Sequence, residues 1–261
     1  MAYLLHTTPI KTKRLSTIFI TGIGTGVGKT VVAAIITEAL GAAYWKPVQA
    51  GYTEGTDSEW VKSVLTNPAC TVLPEAYRLK LAASPHIAAG EEGVEIDMHV
   101  IRDRVKELES GVGSAESGVS TQPSPHSRLP TPDSRLPTPD SRLPTPDSRL
   151  VIEGAGGLLV PLNDKEFMAD LIHLLQSKVV LVSRNYLGSI NHSLLTAEVC
   201  RQYKLDVLGW VFNDRYMAYE DEIVHWTGYP RIASIPMVAN PDAAFIAGQA
   251  ILVRQSLSRL L

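Results

Sequence analysis

A short apolar run, Thr17–Thr21, feeds the glycine-rich turn Gly22-Ile23-Gly24-Thr25-Gly26-Val27-Gly28, which ends in Lys29-Thr30; the apolar run Val31–Leu40 follows at helical length. Strand, loop and helix N-terminus together make a phosphate cradle. Backbone N–H groups and the helix dipole face the anion, Lys29 adds a point charge, and the Thr30 hydroxyl suits Mg²⁺. An ordinary glycine turn has no need of Lys-Thr at this place. Five residues separate Gly22 from Gly28 where the common phosphate loop has four, which points to a sub-family of P-loop proteins.

Further candidate groups fall at the ends of apolar runs. Lys46, in Lys46-Pro47-Val48-Gln49-Ala50-Gly51, could neutralise a reacting phosphate or carboxylate, or simply stand solvated before a turn-forming proline. Asp57, in Gly55-Thr56-Asp57-Ser58, could hold Mg²⁺ beside a triphosphate or cap the helix that follows. Glu153 ends the run Leu150-Val151-Ile152 and leads into Gly154-Ala155-Gly156-Gly157. A carboxylate ending a buried strand, followed by glycines that admit a ligand to the backbone, fits binding better than packing. Asn213-Asp214 follows Leu208–Phe212, where an amide can hydrogen-bond a base edge or the pair can form a turn.

These groups need strands and helices to hold them. Strands are expected at Ile18–Thr21, Ala43–Lys46, Val151–Glu153, Val179–Ser183, Val207–Asn213 and Ile232–Ile235. Helices are expected at Thr30–Leu40, Ser58–Leu65, His99–Glu109, Phe167–Gln176, Ile190–Tyr203 and Ala218–Thr227. Near-continuous apolar strands alternating with helices imply an α/β fold: a single-domain, P-loop NTPase-like, mostly parallel sheet with helices on both faces. In such sheets ligands bind beyond the carboxyl ends of the strands, which is where the polar groups fall.

A near-neutral formal charge of −3 gives no basic footprint for nucleic acid. No apolar run reaches membrane-spanning length, and the N-terminus lacks the pattern of a secretory signal. Only Cys70 and Cys200 are present, in unrelated settings, so a reduced cytoplasmic protein with packing cysteines is expected. From Ser127 the unit Ser-Arg-Leu-Pro-Thr-Pro-Asp repeats at Ser134 and Ser141, and Ser148-Arg149-Leu150 begins another copy. Two prolines per unit exclude a coiled coil. The domain reading is therefore an N-terminal extension over 1–16 and a P-loop domain over 17–261, interrupted by an extended or disordered proline-rich insertion over 111–149.

Taken in order, the phosphate loop, Lys46-Pro47-Val48 with Gly51, Asp57, Ser84-Pro85-His86-Ile87, Glu153-Gly154-Ala155-Gly156-Gly157, Ile190-Asn191-His192 and Gly209-Trp210-Val211 with Asn213-Asp214 resemble the dethiobiotin synthetase family. The likeness spans roughly residues 18–246 apart from the insertion. It implies ATP-dependent ring closure: 7,8-diaminononanoate takes up CO₂ as a carbamate, the carbamate attacks the γ-phosphate, and the second amine closes the ureido ring. It also implies Mg²⁺ as cofactor, ATP as co-substrate and a homodimer. Lys29 and Lys46 would be catalytic. ATP would be held by Gly26, Val27, Gly28, Lys29, Thr30, Val31, Asp57, Glu153, Gly154, Ala155, Gly156, Asn213, Asp214 and Pro236, with Asn213 reading adenine. The metal would sit on Thr30, Asp57 and Glu153. The small-molecule substrate would meet Thr25, Lys46 and Ala50, together with the Gly188-Ser189-Ile190-Asn191 turn of a partner subunit, a helix N-terminus suited to a carboxylate. On the residues alone, Asn191 also suits a helix cap, and His86 suits packing at a helix start.

The chain departs from the family's pattern at Gly24 and Gly26, places that are often acidic, and at Ala50, often serine or threonine. Septum-site and partition ATPases share the strand–loop–helix core, but place a signature lysine where Gly24 stands here. An amidating synthetase of the cobyrinate type would need a nucleophilic cysteine with a histidine, and neither cysteine has that setting. An inactive paralogue is the remaining alternative.

Overall fold

The computed structural model describes residues 15–53, 55–110, 149–214 and 216–261. The insertion expected over 111–149 lies outside the described residues except for Arg149, which is corrected to the first residue of a strand pairing with Ser16.

Seven strands form a parallel sheet in the order β4 (Thr71–Leu73), β2 (Ala43–Trp45), β6 (Arg149–Glu153), β1 (Ser16–Gly22), β7 (Lys178–Arg184), β8 (Asp206–Asn213) and β9 (Arg231–Ile235). Strand residues alternate between two cores, as the period of two requires. Ile18 and Ile20 pack with α1 (Lys29–Leu40), α2 (Asp57–Val64) and α8 (Ala243–Leu257). Phe19 packs on the opposite side with α4 (Met98–Ser110), α5 (Met168–Leu175), α6 (Ser189–Gln202) and α7 (Tyr219–Thr227). The expected doubly covered parallel sheet is what the chain adopts.

All the expected strands and helices are present, with ends shifted by a residue or two; Lys46, for example, lies just past the end of β2. Three-residue strands at β4, β3 (Val48–Ala50) and β5 (Tyr77–Leu79) escaped the sequence reading because so short a run shows no period. β3 and β5 pair in a separate two-stranded sheet beside α3 (Pro85–Glu91). Helix α8 was missed for another reason. Ile246, Ala250, Val253 and Leu257 are buried, but Ile251 and Leu252 are exposed and apolar too, which blurs the helical stripe.

Among the described residues no helix is long and apolar enough to cross a membrane. Cys70 and Cys200 are free, and burial pushes both thiols up to about 12, as suits packing groups rather than nucleophiles.

Candidate active site

The sheet order puts the end of β1 between the ends of β6 and β7, so the phosphate loop emerges next to Glu153. Helix α1 starts from Gly28, whose φ of 90° is left-handed. A side chain at Gly28 would also overlap the Asn213 amide. Both facts demand glycine there. The first N–H groups of α1 have no partners within the helix, and its first turn carries no acidic residue, so the helix end is open to an anion. Gly154 is required for a second reason: a Cβ there would stand 2.7 Å from the Phe19 ring.

A cleft of about 760 Å³ opens beyond the strand ends. It is lined by Thr25, Gly26, Gly28, Lys29, Thr30 and Val31 from the loop, with Lys46, Gln49, Ala50, Asp57, Glu153, Ala155 and Gly156 around it and Ser84 across from it. Candidates scattered along the sequence need not have met at one place; of those named above, Thr25, Gly26, Gly28, Lys29, Thr30, Val31, Lys46, Ala50, Asp57, Glu153, Ala155 and Gly156 do.

Inside the cleft a charge network is already assembled. The Lys46 ammonium is paired with Asp57 and lies 3.0 Å from Glu153 Oε1. The Thr30 hydroxyl donates to the same Oε1 at 2.8 Å, and the Tyr44 hydroxyl donates to Oε2 at 2.7 Å. Lys46 is 6% exposed and Glu153 1%, so the solvated-lysine alternative is set aside. Burial opposes the charge on Lys46, but Glu153 and Asp57 outweigh it and raise its pKa. Burial pushes the Tyr44 phenol well above its ordinary range, and the Glu153 charge adds to this, so Tyr44 is a pure donor.

Lys29 differs. It donates to the Gly24 carbonyl at 2.7 Å, and burial lowers its pKa to about 8 against the opposing pull of Glu153. An anion bound to protonated Lys29 raises that pKa again. In metal-free buffer, ATP affinity should therefore be insensitive to Lys29 below about pH 8 and fall by up to tenfold per pH unit above it, with proton uptake on binding. Calorimetry at pH 7 and pH 9 in buffers of differing ionisation enthalpy reads this uptake. Lys29→Arg, which stays charged, should abolish the difference; equal uptake at both pH values in the parent protein would contradict the assignment.

Thr56, not Asp57, caps α2: its hydroxyl accepts from Glu59 N, and Glu59 reaches back to Thr56 N. This corrects the capping alternative for Asp57 and leaves its carboxylate to Lys46. Gln49 also escaped the sequence reading. It accepts from Asp57 N at 3.2 Å and donates to Gly51 O at 2.8 Å, clipping the start of α2 to the end of β3.

Thr30, Asp57 and Glu153 form a mixed oxygen set; among the described residues no three His, Cys, Asp or Glu side chains cluster as a metal site. The 2.8 Å separation of Thr30 Oγ1 and Glu153 Oε1 is close to the roughly 3 Å edge of an octahedron with 2.1 Å bonds, and the rest of a Mg²⁺ shell is ordinarily phosphate and water. The two carboxylates already hold a cationic group between them. The donor set fits Mg²⁺.

Asn213 ends β8 and donates to the Val27 carbonyl, bracing the loop; Asp214 follows with φ 64°, the turn that an Asn-Asp pair allows. Pro236 lies exposed just after β9. The Gly188–Asn191 turn does not line the cleft. Gly188 occupies the N-cap position of α6, which corrects the capping alternative for Asn191; that residue is exposed in the first turn. His86 sits in the first turn of α3, bonded through Nδ1 to Ser84 Oγ at 3.1 Å.

The fold is shared widely. A MinD protein from Aquifex aeolicus, solved in complex with MinC, aligns with a TM-score of 0.54 at 14% identity over 94% of this chain and 95% of that one. A plasmid partition protein from Borrelia burgdorferi aligns with a TM-score of 0.55 at 10% identity over 95% and 100%. At such identities the likeness concerns the fold alone. A family described as "AAA domain" matches residues 16–244. Closer in sequence are proteins named ATP-dependent dethiobiotin synthetase BioD: that of Cytophaga hutchinsonii is 43% identical over 212 residues, 81% of this chain and 84% of its own length. That of Brucella ovis is 38% identical over 85% of this chain and 87% of its own length. That of Christiangramia forsetii is 40% identical over 75% and 74%. Sequence likeness of this extent shows that the chain, whose cleft joins the phosphate loop to Lys46, Asp57 and Glu153, belongs to the family of ATP-dependent dethiobiotin synthetases.

Proposed function

We propose that this protein closes the ureido ring of dethiobiotin from 7,8-diaminononanoate, CO₂ and ATP. The observation that carries this is the buried Lys46 ammonium, held by Asp57 and Glu153 in the same cleft as the phosphate loop. One amine of the substrate adds to CO₂ and loses a proton, giving a carbamate. A carbamate oxygen attacks the γ-phosphorus and the bond to the β-phosphate oxygen breaks, releasing ADP. The second amine then attacks the carbamoyl carbon, phosphate leaves with the C–O electron pair, and the nitrogen loses its proton.

Each residue is assigned a part that suits its place. The α1 N-terminus and Lys29 hold the phosphates, and Lys46 meets the negative charge shared between carbamate and γ-phosphate. Such chemistry is chiefly positioning and charge stabilisation. Thr30, Asp57 and Glu153 would hold Mg²⁺, which neutralises phosphate charge when bound. Gly24, Gly26 and Ala50 leave open what smaller side chains do not fill; nothing lies within 4 Å of the place where a Cβ of Gly24 or Gly26 would stand. Incorporation of labelled bicarbonate into dethiobiotin, given ATP and diaminononanoate, tests the reading. ATP hydrolysis without carbon fixation would favour a nucleotide switch instead.

The active form is proposed to be a homodimer. Residues 188–191 miss the cleft of their own chain, and a helix N-terminus suits a carboxylate, so in this reading the turn completes the neighbour's site. Sedimentation at micromolar concentration should give twice the chain mass, and a fully active monomer would exclude it.

A further inference from the structure

We infer that Tyr44 is a positioning residue that fixes Glu153 as a one-oxygen metal ligand and so favours Mg²⁺ over Ca²⁺. This rests on the Mg²⁺–ATP reading of the cleft.

Tyr44 pairs with Val151 across β2 and β6, and Glu153 stands two residues further along on the same face. Two residues of strand rise span about 6.6 Å, which the tyrosine ring bridges so that its hydroxyl meets Glu153 Oε2 at 2.7 Å. Tyr44 is fully buried and Glu153 is 1% exposed, leaving no room for water to replace that donor. The two oxygens of Glu153 are therefore unequal. Oε2 is turned inward and engaged by Tyr44, while Oε1 faces Thr30 and Lys46 at the cleft.

The inequality bears on metal choice. Mg²⁺ demands near-ideal octahedral geometry and usually takes one oxygen from each carboxylate, whereas Ca²⁺ tolerates more ligands and accepts carboxylates through both oxygens. A carboxylate held by one oxygen presents the other singly and cannot swing to offer both. A tyrosine retained only for packing would fill the space between β2 and α1 equally well without its hydroxyl.

The test uses the full chain with a non-hydrolysable ATP analogue and reads metal binding without turnover. Mn²⁺ is titrated by electron paramagnetic resonance and displaced with Mg²⁺ and with Ca²⁺. In Tyr44→Phe, Mg²⁺ affinity should fall by at least about tenfold, as is common when a partner of a metal ligand is removed, and Ca²⁺ affinity should fall less, so that the Mg²⁺/Ca²⁺ preference shrinks. An unchanged preference overturns the inference, as does Mn²⁺ binding that is the same in the parent protein and in Glu153→Gln. Replacing Tyr44 with 4-aminophenylalanine, which keeps the shape and a donor, should retain the preference; if Tyr44→Phe does not fold, loss of preference in this second variant overturns the inference. Intact metal selectivity with no dethiobiotin formed would count against the proposed reaction while supporting the role of Tyr44.

Discussion

Lys46→Ala is expected to bind ATP nearly as tightly as the parent protein and to form dethiobiotin 10²–10³-fold more slowly, about 3–4 kcal/mol of lost transition-state stabilisation. Nucleotide affinity should persist because the α1 N-terminus and Lys29 remain. The substitution also leaves Glu153, 1% exposed, without its cationic partner. Removing one member of a buried pair typically costs about 3–5 kcal/mol, so the metal-free variant should melt at a lower temperature. Mg²⁺ with ATP should recover part of that loss, since a ligand bound only by the folded state stabilises it. Lys29→Ala, by contrast, should weaken both nucleotide binding and turnover. Isotope incorporation and thermal melting with and without Mg²⁺ and ATP measure these effects. Near-normal dethiobiotin formation by Lys46→Ala would remove Lys46 from the chemistry and leave it a structural ion pair.

The phosphate loop was legible in the sequence because its chemistry and its backbone needs coincide. Gly28 requires a left-handed φ, and Lys29-Thr30 supplies charge and hydroxyl within one turn. Glu153 was legible because a carboxylate at the end of a buried strand is costly unless it is used. What the chain does not spell out is pairing across distance. Nothing in the order of residues says that Lys46 reaches both Asp57, 11 positions on, and Glu153, 107 positions on; sheet order brings β2 beside β6 and decides it. Tyr44 hides inside an apolar strand, where an aromatic reads as core, although a buried tyrosine hydroxyl calls for a partner. Thr56 and Asp57 are both good caps, and only the reciprocal bond with Glu59 separates them. Asn213 had two readings from sequence; the structure adds a third contact, with the carbonyl of Val27.

Glu153→Gln should cause a comparable loss, and its origin separates metal from lysine. The substitution keeps shape but removes charge, and an amide can offer Mg²⁺ only a neutral oxygen. Metal-dependent dethiobiotin formation should fall by about 10²-fold or more, while ATP binding in metal-free buffer changes little. Asp57→Asn should cost less, because the Asp57 side chain is 34% exposed against 1% for Glu153 and water could take its place in the proposed metal shell. A second consequence falls on Lys46. Glu153 is the larger of the two charges that raise its pKa against the effect of burial, so without it the pKa must move down. A lysine with a lowered pKa keeps its charge at low pH and loses it as pH rises. Residual activity of Glu153→Gln should therefore decline with increasing pH at a lower pH than in the parent protein, and Glu153→Asp, which keeps the charge, should restore the parent profile in part. Rate profiles at saturating Mg²⁺ and ATP decide the matter. Metal dependence and pH profile both unchanged in Glu153→Gln would make Glu153 a packing group at a strand end and return the metal site to Asp57 and Thr30 alone.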